Sequence, residues 1–358
     1  MKKQISIILL VFFAFGFAFA QNDLQPLATI KLNKTESVTL KQLKARCEVM
    51  KKQTGMTSFT VEQKQEILDS LIDEKLIIQA AAKAGLNLTD SQIQELYLSS
   101  LSSQVGTNIT EQQFASLVKE QTGLSLDDFF MQQLSMTKAE YKQFLKNQYI
   151  AQQYVVYQKQ SELQAVAATD TEVRNFYDMN QGQFWQADIL KLFLFVVPKS
   201  AEGAAEKANN LYNSVKGSVV NFDELKINAT KDGSYQVGDM YVSKNNTAAT
   251  QLGIDYTELL NLFKMKVGDI SELTETASDY QFFIVRETIP GKLLTLSDVV
   301  QPDSNVTVYE YIREKLTEQK QNLYYTQAVE EIITSLRTPE NVQMLKSGDS
   351  LTKLLENW

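Results

Sequence analysis

The sequence of 358 residues contains no histidine, and Cys47 is its only cysteine. Without histidine the chain cannot form a Ser-His-Asp triad, a Cys-His pair or a histidine metal site, and it has no imidazole acid or base. With one cysteine it cannot form an internal disulfide, a CxxC redox pair or a zinc ribbon. These absences favour a binding function, or a reaction that needs little proton transfer.

Phosphate-binding motifs and late apolar runs are missing as well. The chain has no GxxxxGK[ST] loop and no GxGxxG turn, so we expect neither a nucleotide nor a nucleotide cofactor, and we predict no cofactor and no metal of any kind. The formal net charge is −8 and the lysines are scattered, which argues against nucleic acid and anionic membrane surfaces as partners. Beyond the first twenty residues no apolar run is long enough to predict stable membrane insertion.

The first twenty residues have the pattern of an export signal. Lys2 and Lys3 precede the apolar run 5–19, and the run ends in Ala18-Phe19-Ala20. A basic start, a short apolar core and small residues at an A-x-A site predict a cleavable signal peptide with cleavage after Ala20. The alternative is an uncleaved anchor helix. Because the signal is of bacterial type and the chain cannot form an internal disulfide, we expect the exported protein to reside in the periplasm.

What the chain does contain, 44% apolar and 22% charged residues, is typical of a globular protein with more than one domain. Residues from about 39 to 165 predict a series of helices. The clearest is 65–84, where Leu68, Leu71, Ile72, Leu76 and Ala80 recur every three or four residues. Gly85 suits its left-handed C-terminal cap, and Thr89 with Gln92 has the spacing of a capping box that begins the next helix.

From 187 to about 290 the pattern changes to β-α-β-α-β-β. The predicted strands are 190–197, 235–242, 270–274 and 280–287, and the predicted helices are 201–215 and 256–263. Beyond this α+β domain, Thr307 caps a long helix over 308–336, which we expect to dock on the apolar stripes of the N-terminal helices. Residues 341–345 are expected to pair with 29–32. The predicted fold class is therefore α+β, with a discontinuous helical domain and an inserted α+β domain.

The order of several motifs resembles the SurA/PrsA family of exported foldases. The resemblance covers most of the chain and is carried by residues 67–76, 80–86, 88–90, 169–173, 180–184, 192–198, 238–239, 268–271 and 280–285. It implies a SurA-like helical chaperone domain over 21–185 after the signal peptide 1–20. It further implies a parvulin-like domain over 186–290 and a C-terminal helix and tail, 291–358, that return to the helical domain.

In that family the parvulin domain isomerises X-Pro bonds with two facing histidines beside a small apolar pocket. The resemblance places these histidine positions at Leu194 and Gln281, so no catalytic residue remains. Asp239 matches a family Gly-Asp that we interpret as a structural turn. The pocket residues are less clear, and Ile254, Tyr256 and Leu259 are all candidates alongside Phe263. The expectation is a retained fold with an inactive site.

Apolar side chains in polar surroundings are the remaining binding candidates. Phe129, Phe130 and Met131 lie among Gln and Ser in the helical region, close to Met136, and we expect this cluster to be exposed or to face a groove. Together with Tyr256 and Phe263 they are the predicted substrate-binding residues. Cys47 is expected to be a small buried apolar residue.

Three functions remain open. The first is an ATP-independent periplasmic chaperone that binds unfolded exported polypeptides, outer-membrane protein precursors above all, and carries an inactive parvulin domain. The second is an active parvulin-type prolyl isomerase with a histidine-free site, so the chain is either a binding protein or an enzyme. The third is an assembly or scaffold module with one dedicated partner.

Overall fold

The computed structural model describes residues 24–217 and 219–358. The predicted signal peptide, residues 1–20, lies outside the described residues. In the part of the chain that is described, no helix has both the length and the apolar character needed to cross a membrane.

Helices dominate the chain. They are α1 Leu40–Thr54, α2 Val61–Lys83, α3 Asp90–Val105, α4 Glu111–Thr122, α5 Leu126–Leu134, α6 Lys138–Ala165, α7 Asp170–Met179, α8 Ala204–Val215, α9 Phe222–Asp232, α10 Asn246–Leu252, α11 Tyr256–Leu262, α12 Val308–Leu336 and α13 Gly348–Glu356. The strands are β1 Pro26–Ile30, β2 Glu36–Thr39, β3 Trp185–Gln186, β4 Ile189–Pro198, β5 Gln236–Ser243, β6 Thr274–Glu275, β7 Asp279–Ile289, β8 Lys292–Leu293 and β9 Val342–Met344.

The chain divides into two compact units. The first contains the described residues up to Val166 together with Gln319–Trp358, and the second is Ala167–Glu318. Helix α12 therefore contributes residues to both units. The mixed fold class, with a discontinuous helical domain and an inserted α+β domain, is confirmed.

A three-stranded antiparallel sheet brings distant parts of the first unit together. Its order is β2-β1-β9, and Ala28–Ile30 pairs with Val342–Met344, which confirms the predicted pairing. The core beside the sheet includes Cys47, which is buried as expected, together with Leu351 and Leu355 of α13. Neither β2 nor α13 was predicted, because each is too short to show a clear apolar period.

The second core of the first unit is made by facing helices. Tyr97 of α3, Phe130 of α5 and Tyr141 of α6 contact one another, with ring centroids 5.0 to 6.3 Å apart. Residues of α2 and Ala328, Val329 and Ile332 of α12 pack against the same cluster. This core joins parts of the chain that are far apart in sequence.

Most helices of the first unit begin with the same local chemistry. The Thr89 side chain accepts a hydrogen bond from the Gln92 backbone N–H, and the Gln92 side chain accepts one from the Thr89 backbone N–H. This confirms the predicted capping box. The same reciprocal bonds occur at Thr39, Thr60, Thr110 and Thr137. Because each box satisfies two backbone donors, these helix starts are fixed by local sequence.

The apolar stripe of α12 has two sets of partners. Its C-terminal half packs in the first unit as predicted, through Val329 and Ile332. The prediction is wrong for Val308 and Ile312, which are buried in the second unit with Val173 and Phe184. Leu323 is 63% exposed where one core ends and the other begins. The regular spacing of apolar residues along α12 does not reveal that its two ends pack into different cores.

The second unit is built on an antiparallel four-stranded sheet of order β5-β4-β7-β6. One face, which we call the α11 face, carries Leu190, Leu192 and Val285 and packs against α10 and α11. The opposite α9 face carries Phe193 and Phe195 and packs against α8 and α9. Helices α9 and α10 were not predicted, because their sequences are short and polar and they depend on packing against the sheet.

Candidate functional site

The candidate isomerase site lies on the α11 face of the four-stranded sheet. Because side chains alternate along a strand, Leu190, Leu192, Leu194 and Val196 of β4 point to this face. The ladder places Gly238 of β5 and Phe283 of β7 on either side of Leu194. The site is therefore positioned by three adjacent strands.

Leu194 and Gln281 lie on this same face, as two facing family residues would. Leu194 is paired with Phe283, and Gln281 is paired with Val196, so the two positions are diagonal neighbours across β4 and β7. Both residues are half-buried. A leucine side chain has no ionisable group, and a glutamine amide gains or loses a proton only at extreme pH. Neither side chain can act as an acid or base.

The side chains around Leu194 carry no charge. Over the stretch of the ladder from Leu190 to Val196, every residue on the α11 face of β4, β5 and β7 is uncharged. These residues are Leu190, Leu192, Leu194, Val196, Gln236, Gly238, Met240, Val242, Gln281, Phe283, Val285 and Thr288. A cation does lie at the margin, where Lys244 Nζ is 5.5 Å from the ring centroid of Phe263. This surface can desolvate an apolar ligand, but it offers no general acid–base pair.

The wall of this site comes from α11 and the turn after it. Leu259 is fully buried against the sheet, and Phe263, half-buried, packs on the same cluster as Met240 and Phe283. Ile254 also joins this cluster. Tyr256 is 41% exposed and does not belong to it, so among the three pocket candidates the structure brings Ile254 and Leu259 to the site. Met240 and Phe283 also line the site and were not among the predicted residues, although the alternation of side chains along their strands could have indicated them.

Asp239 points away from this surface. It lies within strand β5, so its interpretation as a turn residue is wrong. Its carboxylate accepts hydrogen bonds on the α9 face from Lys226 Nζ at 2.8 Å and Arg286 Nη1 at 2.7 Å. Partial burial acts to raise the pKa of Asp239, but these two cationic donors hold it below its ordinary value. The group is a structural anion, and it faces the side of the sheet opposite Leu194.

The predicted cluster in the helical unit is divided between core and surface. Phe130 and Met136 are 0% and 2% exposed, so the expectation that they are exposed or face a groove is wrong. They fill the core between α3, α5 and α6, where a helix face must bury its largest side chains. Phe129 is half-buried against Phe114, and Met131 is 46% exposed. Only these two remain accessible for binding.

A shallow hollow occurs elsewhere in the helical unit, where α3 leads to α4. Its volume is about 570 Å³, and a second hollow of about 440 Å³ adjoins it through Thr107, Asn108 and Ile109. Most of the lining residues are uncharged and polar, but apolar side chains such as Leu98 and Leu117 contribute much of the surface, most of all in the second hollow. This surface is not predictable from the sequence, because Ser, Thr and Asn in a connecting loop carry no specific binding signal.

Among residues 24–217 and 219–358, no group of three or more acidic or thiol side chains is arranged to hold a metal ion.

Two family models match this chain. Residues 2–104 match the SurA-like N-terminal domain, and residues 168–301 match the PPIC-type PPIase domain. The chain is of the SurA/PrsA type, with a parvulin domain. The chain thus combines a SurA-like N-terminal domain with a PPIC-type domain, as its motifs predicted.

Solved structures similar to this SurA/PrsA-type protein come from several bacteria. The SurA-like chaperone structure from Campylobacter jejuni, reported for PEB4 and Cj1289, is 13% identical, covers 90% of this chain and 100% of its own, and has a TM-score of 0.34. PrsA from Lactococcus lactis is 15% identical with coverages of 92% and 99% and a TM-score of 0.28. PrsA from Bacillus subtilis is 18% identical with coverages of 94% and 99% and a TM-score of 0.27. No curated protein matches the chain.

Proposed function

We propose that this protein is an ATP-independent periplasmic chaperone for unfolded exported polypeptides, in particular outer-membrane protein precursors. The SurA-like match over residues 2–104 supports the chaperone role, and the signal pattern that ends at Ala20 supports export. Capture and release depend on binding equilibria, since the sequence has no phosphate-binding loop. Strands of outer-membrane barrels alternate apolar and polar residues, which suits weak contacts tolerant of sequence.

The observation that carries the second part of the proposal is the uncharged surface around Leu194 and Gln281. Rotation about an X-Pro bond must cross a barrier of about 18–20 kcal/mol, and a site lowers it by holding the twisted amide. Here the two positions that the family resemblance assigns to histidine cannot provide a facing imidazole pair. We infer that the parvulin domain binds polypeptide without isomerising it efficiently.

Client contacts are assigned to the accessible members of the predicted set. Met131 in the helical unit and Tyr256 in the α+β unit are 46% and 41% exposed. Phe129 and Phe263 are partly buried and lie at the edges of the core clusters of these two units. Aromatic and thioether side chains adapt to varied partners, which fits a client of variable sequence. Phe130 and Met136 are omitted because they are buried.

The chaperone proposal is tested by aggregation. An outer-membrane protein is unfolded in urea and diluted into buffer with a near-stoichiometric amount of this protein, and light scattering is recorded with an equal mass of serum albumin as the control. We expect aggregation to slow markedly and to be unaffected by ATP. Scattering identical to the albumin control would show that the chaperone proposal is wrong.

A second candidate function is prolyl isomerisation without histidine. It is favoured by the PPIC-type match and by the apolar wall of Leu259 and Phe263, which can desolvate an amide. A protease-coupled proline-peptide assay at micromolar protein separates the two functions. A rate equal to that of buffer supports the binding proposal, and a clear increase that tracks protein concentration supports the enzyme.

A further inference from the structure

Strand β5 forms an open edge of the four-stranded sheet. It runs for eight residues, Gln236–Ser243, and pairs with β4 without a bulge. At the opposite edge, β6 has only two residues, Thr274–Glu275. A long regular edge strand exposes a row of backbone donors and acceptors that can pair with another strand.

The ladder identifies which backbone groups of β5 point outward. Lys244 N–H donates to Asp188 C=O at 2.8 Å, and in an antiparallel ladder such hydrogen-bonded pairs recur at every second residue. Gly238 and Met240 therefore bond to β4. On the other side of β4, Lys199 N–H donates to Ser278 C=O, so the odd-numbered residues of β4 bond to β7. This agrees with the bonding of its even-numbered residues to β5.

It follows that Val237, Asp239 and Tyr241 direct their backbone N–H and C=O groups away from the sheet. Within residues 24–217 and 219–358, no hydrogen bond to another segment's backbone uses these six groups. Asp239 is exposed as a residue although its side chain is only 20% exposed, so its backbone lies open to solvent.

The edge has few of the features that usually prevent strand pairing. Natural edges are protected by lysine, proline, bulges or extreme shortness. Strand β5 has none of these, and its single charge, on Asp239, is held by Lys226 and Arg286. An edge of this kind is suited to accepting a strand.

The two sides of the edge favour different residues in an added strand. On the α11 face the surface is uncharged, and nothing lies within 4 Å of the position that a Gly238 Cβ would take, which leaves room beside Leu194. On the α9 face the cations Lys226, Arg286 and Lys191 outnumber the two carboxylates, Asp239 and Glu287, the latter lying opposite Lys191 in the ladder, so this face carries a small excess of positive charge. An occupant should therefore alternate apolar residues with polar or acidic ones.

We propose that the β5 edge binds an extended segment of unfolded polypeptide as an added strand, with apolar residues on the α11 face and polar or acidic residues on the α9 face. The proposal deepens the chaperone function proposed above and rests on it. Backbone pairing provides affinity without sequence specificity, and the alternation of faces selects strands of the kind that build outer-membrane barrels.

The direct test is amide hydrogen exchange of the full protein, measured residue by residue by NMR with and without a ten-residue peptide of alternating apolar and acidic or polar residues. Without peptide, Gly238 and Met240 should be protected while Val237, Asp239 and Tyr241 exchange. With peptide, the latter three amides should slow at least tenfold. Unchanged exchange at saturating peptide would overturn the proposal. Protection that rises with protein concentration alone would also overturn it, because that result would indicate pairing between two copies of the protein.

Matched variants and peptides test the backbone contact itself. Val237→Pro removes one outward donor, and Val237→Ala retains it with a similar loss of side chain. We expect the proline variant to bind the peptide about fivefold more weakly than the alanine variant, as for one lost hydrogen bond. A second comparison uses the natural protein, so it does not depend on whether a variant folds. Two peptide series carry N-methyl groups along one edge of the extended peptide or along the opposite edge. One series should bind and the other should not, and equal binding of both contradicts strand addition.

Failure of this proposal is distinct from failure of the chaperone function. If the protein slows aggregation of an unfolded outer-membrane protein but the outward β5 amides stay unprotected, the edge proposal is wrong and the chaperone function stands. If aggregation is not slowed, the chaperone function fails whatever the peptide does.

Discussion

Leu194 and Gln281 are diagonal neighbours on one face of adjacent antiparallel strands. Such positions are about 7–8 Å apart, and long or aromatic side chains at them can touch. Two imidazole rings placed there would therefore reach each other above the apolar wall of α11. This is the spacing that the proposed assignment of the two family histidine positions requires.

Restoring the pair should restore catalysis. The variant Leu194→His with Gln281→His is expected to accelerate X-Pro isomerisation about tenfold over the natural chain, which corresponds to about 1.4 kcal/mol of barrier. Each single variant should gain less. The protease-coupled peptide assay measures the rate, and Leu194→Ala with Gln281→Ala is the control for altered packing. A double-histidine variant no faster than this control would show that these positions are not the ancestral site.

The fold was predictable where local signals agree with packing. Strand β4 is a nearly continuous apolar run, and the helix starts carry capping boxes such as Thr89 with Gln92, so sequence alone located both. The short helices α9 and α10 escaped prediction because their residues are polar and become helical only against the sheet. The change of partner along α12 escaped it because Val308 and Val329 look alike in sequence.

The candidate sites were less predictable than the fold. Phe130 and Met131 are adjacent, and both lie among polar residues, yet one is in the core and the other on the surface. Which face of a nine-residue helix is buried depends on the helices that meet it, here α3 and α6. The outward backbone groups of β5 were not predictable either, since they depend on which strands pair.

Substitutions in α5 should separate core from surface. Phe130→Ala removes a ring that stacks on Tyr141 with centroids 5.0 Å apart, and it should reduce the free energy of unfolding by about 3–5 kcal/mol. Met131→Ala removes a side chain that is 46% exposed and should change it by less than about 0.5 kcal/mol. Urea unfolding followed by circular dichroism measures both. A weaker interaction with unfolded client in Met131→Ala, without loss of stability, would support its role as a client contact.

Cys47 should be chemically inert in the folded protein. Burial raises the pKa of its thiol to about 11, and the side chain is 0% exposed. At pH 8 we expect iodoacetamide to modify it at least tenfold more slowly in the native protein than in 8 M urea, as mass spectrometry can measure. Equal rates would contradict the buried position.

The same pKa shift predicts the direction of a stability change with pH. The thiol is neutral when protonated, so a folded pKa above the unfolded value favours folding below pH 9 and loses this contribution as pH rises through about 11. The variant Cys47→Ala lacks the group. Its free energy of unfolding should fall less between pH 9 and 11 than that of the natural chain, in matched urea titrations.

Arg46 and Glu74 form a buried ion pair in the first unit, with Arg46 Nη2 2.6 Å from Glu74 Oε2 and side chains 3% and 5% exposed. Because an isolated charge in such a position has lost its hydration, Arg46→Met, which leaves Glu74 buried beside an apolar side chain, should cost about 3–5 kcal/mol. The double variant Arg46→Met with Glu74→Leu should recover most of this loss, since two apolar side chains can fill the same volume without a charge.

Fluorescence can confine this measurement to the unit concerned. The chain has two tryptophans, Trp185 in the second unit and Trp358 in the first, where Lys64 Nζ lies 4.3 Å from the Trp358 ring centroid. In a Trp185→Phe background, urea unfolding followed by emission reports the first unit. A double variant as unstable as Arg46→Met would show that the pair contributes more than the desolvation of two charges costs, and that its attraction stabilises the helical unit outright.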